Sequence, residues 1–357
     1  MVDRIDQSRR KFTGSVAATL AMAGVAAGAA LLDTSAGAAT QDTAPARGVG
    51  KASFEQLKQI HAGQLDVGYF ELGPANGPAV LLLHGFPYDV HSYVEVAPLL
   101  AARGCHVIVP YLRGHGTTRF LNNDEPRSGQ QGAIGADVIA LLDALKLPRA
   151  TLAGYDWGGR AACVAAALWP ERCNGLVSVN SYLIQDIAHA DLPLPAKVEW
   201  GLWYQHYFQT ERGRAGLRAN RRDLAHILWK NNSPTWAFDD TTFERSAAAF
   251  DNPDYVDVVI HSYRHRMGLA DGFPRYAEIE RRLAALPVID VPTITLDGDA
   301  DGVVPATDGK SSAAHFTHRQ HRIVRGAGHN LPQEAPDAFA DAVWELASTA
   351  KGSAAAA

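Results

Sequence analysis

The sequence predicts an α/β fold, with a mostly parallel central sheet flanked by helices and an inserted helical segment. Three observations carry that reading. Short continuous apolar runs end abruptly at histidine, proline or a glycine turn, helix-period segments separate them, and the alternation breaks off near Tyr182 and resumes at Thr293. Strands that are apolar on every residue are buried on both faces, and a parallel sheet covered by its own crossover helices buries them so.

In chain order, Val80-Leu81-Leu82-Leu83 is the first run and meets His84-Gly85. His106-Val107-Ile108-Val109 follows and ends at Pro110. Ala150-Thr151-Leu152-Ala153-Gly154 and Gly175-Leu176-Val177-Ser178-Val179 are the third and fourth. Between them, residues 93–103, 135–147 and 160–169 carry apolar positions at helical spacing. From Tyr182 to about Leu283 the chain is rich in Trp, Tyr, His and Arg and reads as helices with loops. Strand runs return at Thr293-Ile294-Thr295-Leu296 and His321-Arg322-Ile323-Val324, before a helix over 335–350. The expected organisation is a core over 53–183 and 284–350, a helical cap over 184–283, and a frayed Ala-rich tail over 351–357.

At 357 residues the chain has room for one large domain or two small ones. Lys and Arg total 33 against 38 Asp and Glu, a net charge of −5, and no basic run reaches five residues. That balance argues against nucleic acid as the main partner. Three cysteines are too few for a disulfide framework or a Cys-based metal site, and a Cys163–Cys173 pairing stays open. Ser8-Arg9-Arg10-Lys11-Phe12, a weakly apolar Ala/Gly stretch over 13–32 and Ala36-Gly37-Ala38 read as a twin-arginine signal peptide over 1–38. Cleavage is expected after Ala38, and a linker over 39–52 follows. No other span of eighteen apolar residues occurs, so the exported chain is expected to be periplasmic or secreted, without stable membrane insertion.

The chemistry starts at Gly154-Tyr155-Asp156-Trp157-Gly158-Gly159. A strand ends at Gly154 and a helix begins near Gly158, which puts Asp156 in a tight strand-to-helix turn. This is the G-x-S-x-G nucleophile elbow with aspartate in the serine position. Taken alone, the motif fits an Asp N-cap as well. Two later features decide for the nucleophile. Asp297, Asp299 and Asp301 cluster just after a buried strand, and His329 sits in Gly326-Ala327-Gly328-His329-Asn330 after the next one. Nucleophile, acid and histidine in that chain order is the order of roles in α/β-hydrolases. His84-Gly85-Phe86-Pro87 follows the first strong strand, where such folds supply an oxyanion-binding amide. Pro87 has no N–H, so the amides of Phe86 and Trp157 are the candidates.

These motifs resemble the α/β-hydrolase superfamily and, within it, the epoxide hydrolases. His84-Gly85-Phe86-Pro87 is similar to their H-G-x-P element, Gly154 to Gly159 to their G-x-D-W-G-G, and Leu112-Arg113-Gly114-His115-Gly116-Thr117 to their L-R-G-x-G-x loop. The likeness spans about Phe54 to Leu346. It implies an α/β-hydrolase fold with a helical cap whose tyrosines bind and protonate the epoxide oxygen. Tyr204-Gln205-His206-Tyr207-Phe208-Gln209 and Ser262-Tyr263-Arg264 are similar to the stretches that hold them, which nominates Tyr204 and Tyr263, with Tyr207 as a substitute for Tyr204. By the same likeness Asp301, four residues before Pro305, is the triad acid, while Asp297 ends the strand. Departures are Tyr155 where His is common, a change that bears on pocket shape, Tyr111 where Asp is usual, and Ser262 where Trp often stands.

An aspartate nucleophile attacks sp³ carbon well, whereas attack on an ester would make an unstable anhydride. The expected reaction is therefore opening of an epoxide by Asp156, hydrogen-bonded through Tyr204 and Tyr263, then hydrolysis of the ester by water that His329 and Asp301 activate. No cofactor and no metal are expected, and the partner is a small-molecule substrate. The alternatives are a haloalkane or haloacid dehalogenase with the same Asp-ester, for which Trp157 could bind halide, and a secreted ligand-binding protein on the same fold. Trp200, Trp203, Trp236 and Phe250 are expected to shape the pocket.

Overall fold

In the computed structural model the described residues are Phe54 and residues 56–354, which leaves the leader, the linker and residues 355–357 outside them. Strands β1 (Lys58–Ala62), β2 (Leu65–Leu72), β3 (Ala79–Leu83), β4 (His106–Pro110), β5 (Arg119–Phe120), β6 (Ala150–Gly154), β7 (Cys173–Val179), β8 (Thr293–Gly298) and β9 (Arg319–Val324) form one sheet. Its order is β1-β2-β4-β3-β6-β7-β8-β9, with β5 paired to β2. From β4 to β9 every neighbouring pair is parallel, while β1, β2 and β5 are joined antiparallel. Every residue of β3, β4 and β6 is buried, the property that made these runs readable as central strands.

Helices α1 (Val96–Ala102), α2 (Gln131–Ala144) and α3 (Asp156–Leu168) follow β3, β5 and β6. Between β7 and β8 the described chain has helices and no strand: α4 (Ala196–Gly201), α5 (Trp203–Tyr207), α6 (Glu211–Ala219), α7 (Arg221–Asn232), α8 (Asp240–Ala247), α9 (Tyr255–Arg266) and α10 (Ala277–Leu283). Then α11 (Leu331–Glu334) and α12 (Pro336–Ala354) close the chain. Two helix pairs, α1 with α12 and α2 with α3, pack on the sheet.

Several boundaries differ from the sequence reading. The hairpin of β1 and β2 is additional; β1 alternates half-buried and exposed positions, and Asp66, Gly68 and Glu71 interrupt the apolar residues of β2, so a search for continuous apolar runs passes over it. Helix α1 begins at Val96 because a 3₁₀ turn, Val90–Tyr93, capped by the Asp89 carboxylate, occupies the preceding residues. Helix α2 starts four residues earlier than read and ends at Ala144, where Lys146, at φ +56°, reverses the chain. The last helix continues through the first residues of the tail expected to fray.

Candidate active site

Strand β6 delivers the chain to the elbow. Tyr155 is extended (φ −139°, ψ 160°) and Asp156 takes φ +48°, a left-handed conformation that costs a non-glycine residue about 1–2 kcal/mol. The turn closes only because its neighbours lack side chains. A Cβ on Gly158 would lie 1.9 Å from the Leu83 carbonyl oxygen, and one on Gly85 would lie 2.8 Å from the Asp156 Cβ. Helix α3 begins at Asp156 itself, not near Gly158, and the carboxylate caps no helix amide. Instead Oδ1 accepts a hydrogen bond from the Phe86 N–H at 2.7 Å, and Oδ2 lies 3.8 Å from His329 Nε2.

The structure separates the three clustered acids. Asp297 Oδ2 accepts from the Thr307 amide at 3.0 Å and Asp299 Oδ1 from the Gly326 amide at 2.6 Å, so both staple loops. Only Asp301 reaches the histidine, its Oδ2 accepting from Nδ1 at 2.8 Å. Its Oδ1 takes the amides of Val303 and Val304 at 2.7 and 2.9 Å, and Asn180 Nδ2 donates to Oδ2 at 3.1 Å. The histidine loop is pinned in turn. The His329 amide donates to Ser233 Oγ at 3.1 Å, and Ser233 Oγ donates to Glu334 Oε1 at 2.6 Å. Glu334 Oε2 accepts from the Gly328 amide at 2.7 Å. Asn180, Ser233 and Glu334 belong to no motif, and nothing in the sequence reading pointed to them.

Burial by itself would neutralise these groups, but their mutual charges win. Desolvation pushes the Asp156 carboxyl up, and the His329 charge with the Phe86 amide more than offsets it, so the group lies below its ordinary value. Asp301 behaves alike, with His329 and the two valine amides opposing burial. Desolvation works against the His329 cation, yet Asp301 and Asp156 raise it to about 10. At neutral pH the free site therefore holds an imidazolium between two carboxylates.

Over this triad lies an aromatic shell. The Phe86 ring stacks on Trp157 at 5.5 Å and meets Tyr263 at 5.4 Å and Tyr204 at 6.2 Å. Tyr204 and Tyr263 are edge-to-face at 5.4 Å, so α5 and α9 bring together the two cap tyrosines. Both are buried; desolvation, with Asp156 among the lesser contributors, raises both phenols, which keep their protons at neutral pH. The buried Tyr263 hydroxyl has the Tyr204 hydroxyl as its polar neighbour, and the Trp157 indole N–H is buried without a hydrogen-bond partner. Tyr207 instead packs on Trp203 and Phe208. Trp200 is 76% exposed, while Trp236 packs on Trp229 and Phe238, and Phe250 on Tyr255. Tyr155 is fully buried, bonded to Ser92 Oγ at 2.7 Å and packed against the His329 ring. Cys163 and Cys173 form no disulfide.

Residues 78–336 match the family described as the alpha/beta hydrolase fold. A solved structure of an inferred epoxide hydrolase from Klebsiella pneumoniae is 50% identical, covers 84% of this chain and 99% of its own, and superposes with a TM-score of 0.81. Epoxide hydrolase A of Mycobacterium tuberculosis is 26% identical over 321 residues, 83% of this chain and 97% of its own length. A loop variant of a haloalkane dehalogenase from Bradyrhizobium elkanii superposes with a TM-score of 0.68 at 20% identity, covering 84% of this chain and 98% of that one. At that identity the likeness shows the fold alone.

Proposed function

We infer the reaction from one premise: the chain belongs to the α/β-hydrolase fold family, in its epoxide hydrolase branch, and is a hydrolase. The observation that carries the mechanism is a carboxylate at the elbow with its two oxygens in different surroundings, Oδ1 on the Phe86 amide and Oδ2 facing His329.

In this reading Asp156 Oδ2 attacks an epoxide carbon, the C–O bond breaks, and Tyr204 and Tyr263 donate to the emerging alkoxide. Two phenols divide that charge, and the one that gives up its proton becomes a phenolate. The ester leaves Asp156 uncharged. His329 then has one anion beside it instead of two, and its proton is held less tightly. Its loss from the imidazolium balances the proton the phenolate regains. Neutral His329, oriented by Asp301, next takes a proton from water, whose oxygen attacks the ester carbonyl carbon. Charge develops on Oδ1, where the Phe86 amide already donates, with the Trp157 amide as the second donor. Collapse releases a vicinal diol and returns the carboxylate–imidazolium pair. In this cycle the histidine acts as a base only after the first step has removed the charge that held its proton.

The test is the intact mass of a His329→Ala variant exposed to an aryl epoxide and, separately, to a haloalkane. Without its base the ester forms and persists. A gain of the whole epoxide, mapped to Asp156, supports the proposal. A gain of the haloalkane less HX moves the assignment to a dehalogenase, and no adduct with either returns weight to a binding protein. We also propose export by the twin-arginine route. A mature N-terminus at Ala39 supports it, and retention of the leader after secretion overturns it.

A further inference from the structure

The wall of the site beside Tyr263 carries two arginines that the mechanism does not use. Arg160 follows Asp156 by one helical turn in α3, in a stretch otherwise made of glycine, alanine and apolar residues. Side chains on a helix lean toward its N-terminus, and positions i and i+4 share a face, so Arg160 lies over the turn that holds the nucleophile. It is 7% exposed. Its Nη1 donates to the Leu183 carbonyl at 2.7 Å and approaches Gln185 Oε1 at 3.5 Å, while its Nε has no partner. Arg266, at the end of α9, stacks its guanidinium 5.1 Å from the Tyr263 ring centre and donates from Nε to the same Gln185 Oε1 at 2.7 Å. Gln185 cannot turn away. Its Nε2 donates to the Arg266 carbonyl at 3.0 Å, and its backbone N–H and C=O are both taken by the Gln131 side chain.

Two cations therefore converge on one neutral oxygen. Among the described residues neither makes an ion pair. Asp156 and Glu280 act on Arg160 only at longer range, and the Glu280 carboxylate is engaged with the Gly132 amide at 2.8 Å. Burial, followed by repulsion from Arg266, lowers Arg160 to about 9, so it remains charged at neutral pH. A buried guanidinium with an orphan N–H and no counter-charge is costly in a finished core and useful beside a reacting carboxylate, where an anionic ligand would complete it.

We propose that Arg160 and Arg266, joined through Gln185 Oε1, are the anion-binding end of the substrate site, and that the preferred substrate is an epoxide bearing a carboxylate close to the oxirane. The proposal rests on the epoxide reading above. With Gln185 held in place, a planar carboxylate would accept from the Arg160 Nε–H that has no partner, beside the Arg266 charge, and so set which epoxide carbon faces Asp156.

The experiment compares trans-3-phenylglycidate with trans-β-methylstyrene oxide, the same aryl epoxide with methyl in place of carboxylate. The full-length enzyme and its Arg160→Gln, Arg160→Lys and Arg266→Gln variants are measured with both. The wild type should favour the glycidate in kcat/KM. Each glutamine variant should lower that preference about ten- to hundredfold, mainly through KM, and Arg160→Lys should restore part of it. Arg266, less buried, serves if Arg160→Gln does not fold. Hydrolysis of both epoxides with a preference indifferent to either arginine overturns the subsite and leaves the epoxide reading intact. If the wild type hydrolyses neither, the epoxide reading falls. Calorimetric titration with 2,3-dihydroxy-3-phenylpropanoate then decides the subsite alone: binding that Arg160→Gln abolishes upholds it, and no binding ends it. Chloride release from 2-chloropropionate with the same arginine dependence would keep the subsite and replace the epoxide by a haloacid.

Discussion

His329 Nδ1 donates to Asp301 Oδ2 at 2.8 Å, while the opposite ring nitrogen stands 3.8 Å from Asp156. The first distance is a charge-assisted hydrogen bond; the second is too long for one and is a longer-range ion pair. One carboxylate holds the ring in place, and the other adds to the field that keeps it protonated.

That field can be measured. In the free enzyme the His329 ring nitrogens should titrate far above the ordinary histidine range, near pH 10. Asp156→Asn removes the same negative charge that the ester removes, and should move the titration down toward the ordinary value. Nitrogen-15 NMR of the imidazole checks both, and a midpoint that stays put in Asp156→Asn would refute the account. Because the folded value lies above the unfolded one, the stability it contributes is complete below about pH 6.5, and it is lost as pH rises toward 10.

Gly158→Ala should be among the most damaging one-carbon changes in the chain. The added Cβ would meet the Leu83 carbonyl at 1.9 Å, and a backbone atom of a central buried strand cannot move aside. A loss of at least about 3 kcal/mol is expected, read as a fall in the denaturant midpoint or as failure to accumulate folded protein.

Tyr263→Phe should separate activity from stability. Its buried hydroxyl interacts only with that of Tyr204, so its removal leaves no buried backbone group unpaired. Stability should stay within about 0.5 kcal/mol of wild type or rise. Single-turnover formation of the ester should slow about ten- to hundredfold, since Tyr204 remains as one donor of two. An unchanged rate would remove Tyr263 from the mechanism.

Ser233→Ala reaches the histidine indirectly. It deletes the acceptor of the His329 amide and a donor to Glu334. The expected cost is about 1–3 kcal/mol of stability. Hydrolysis of the ester should slow more than its formation, because only hydrolysis needs the imidazole placed to take a proton from water. Burst kinetics resolve the two steps, and equal slowing would mean a general loss of packing.

The order of parts was legible in the sequence. Central strands are apolar throughout because both faces are covered, and the candidate site residues stand where strands end, marked by Gly154, Gly158 and the glycines before His329. Such signals are local, since each depends on a few adjacent residues and on the backbone they must adopt. The β1–β2 hairpin escaped for a related reason, since β1 alternates and polar or glycine residues interrupt β2, so neither makes a continuous apolar run. Asp301 was chosen from its cluster by resemblance, but the path of its loop is what brings it, and not Asp297 or Asp299, to the imidazole. The pairing of Tyr204 with Tyr263 was implied by resemblance, whereas the Ser233–Glu334 support and the convergence of Arg160 and Arg266 on Gln185 belonged to the tertiary structure alone. Arg160 did leave a trace, as the one basic residue of an otherwise largely apolar helix a turn beyond Asp156, but nothing nearby in the chain named its partners. Those contacts join residues distant in sequence, and their geometry is set by how helices pack over the sheet, which no local pattern encodes.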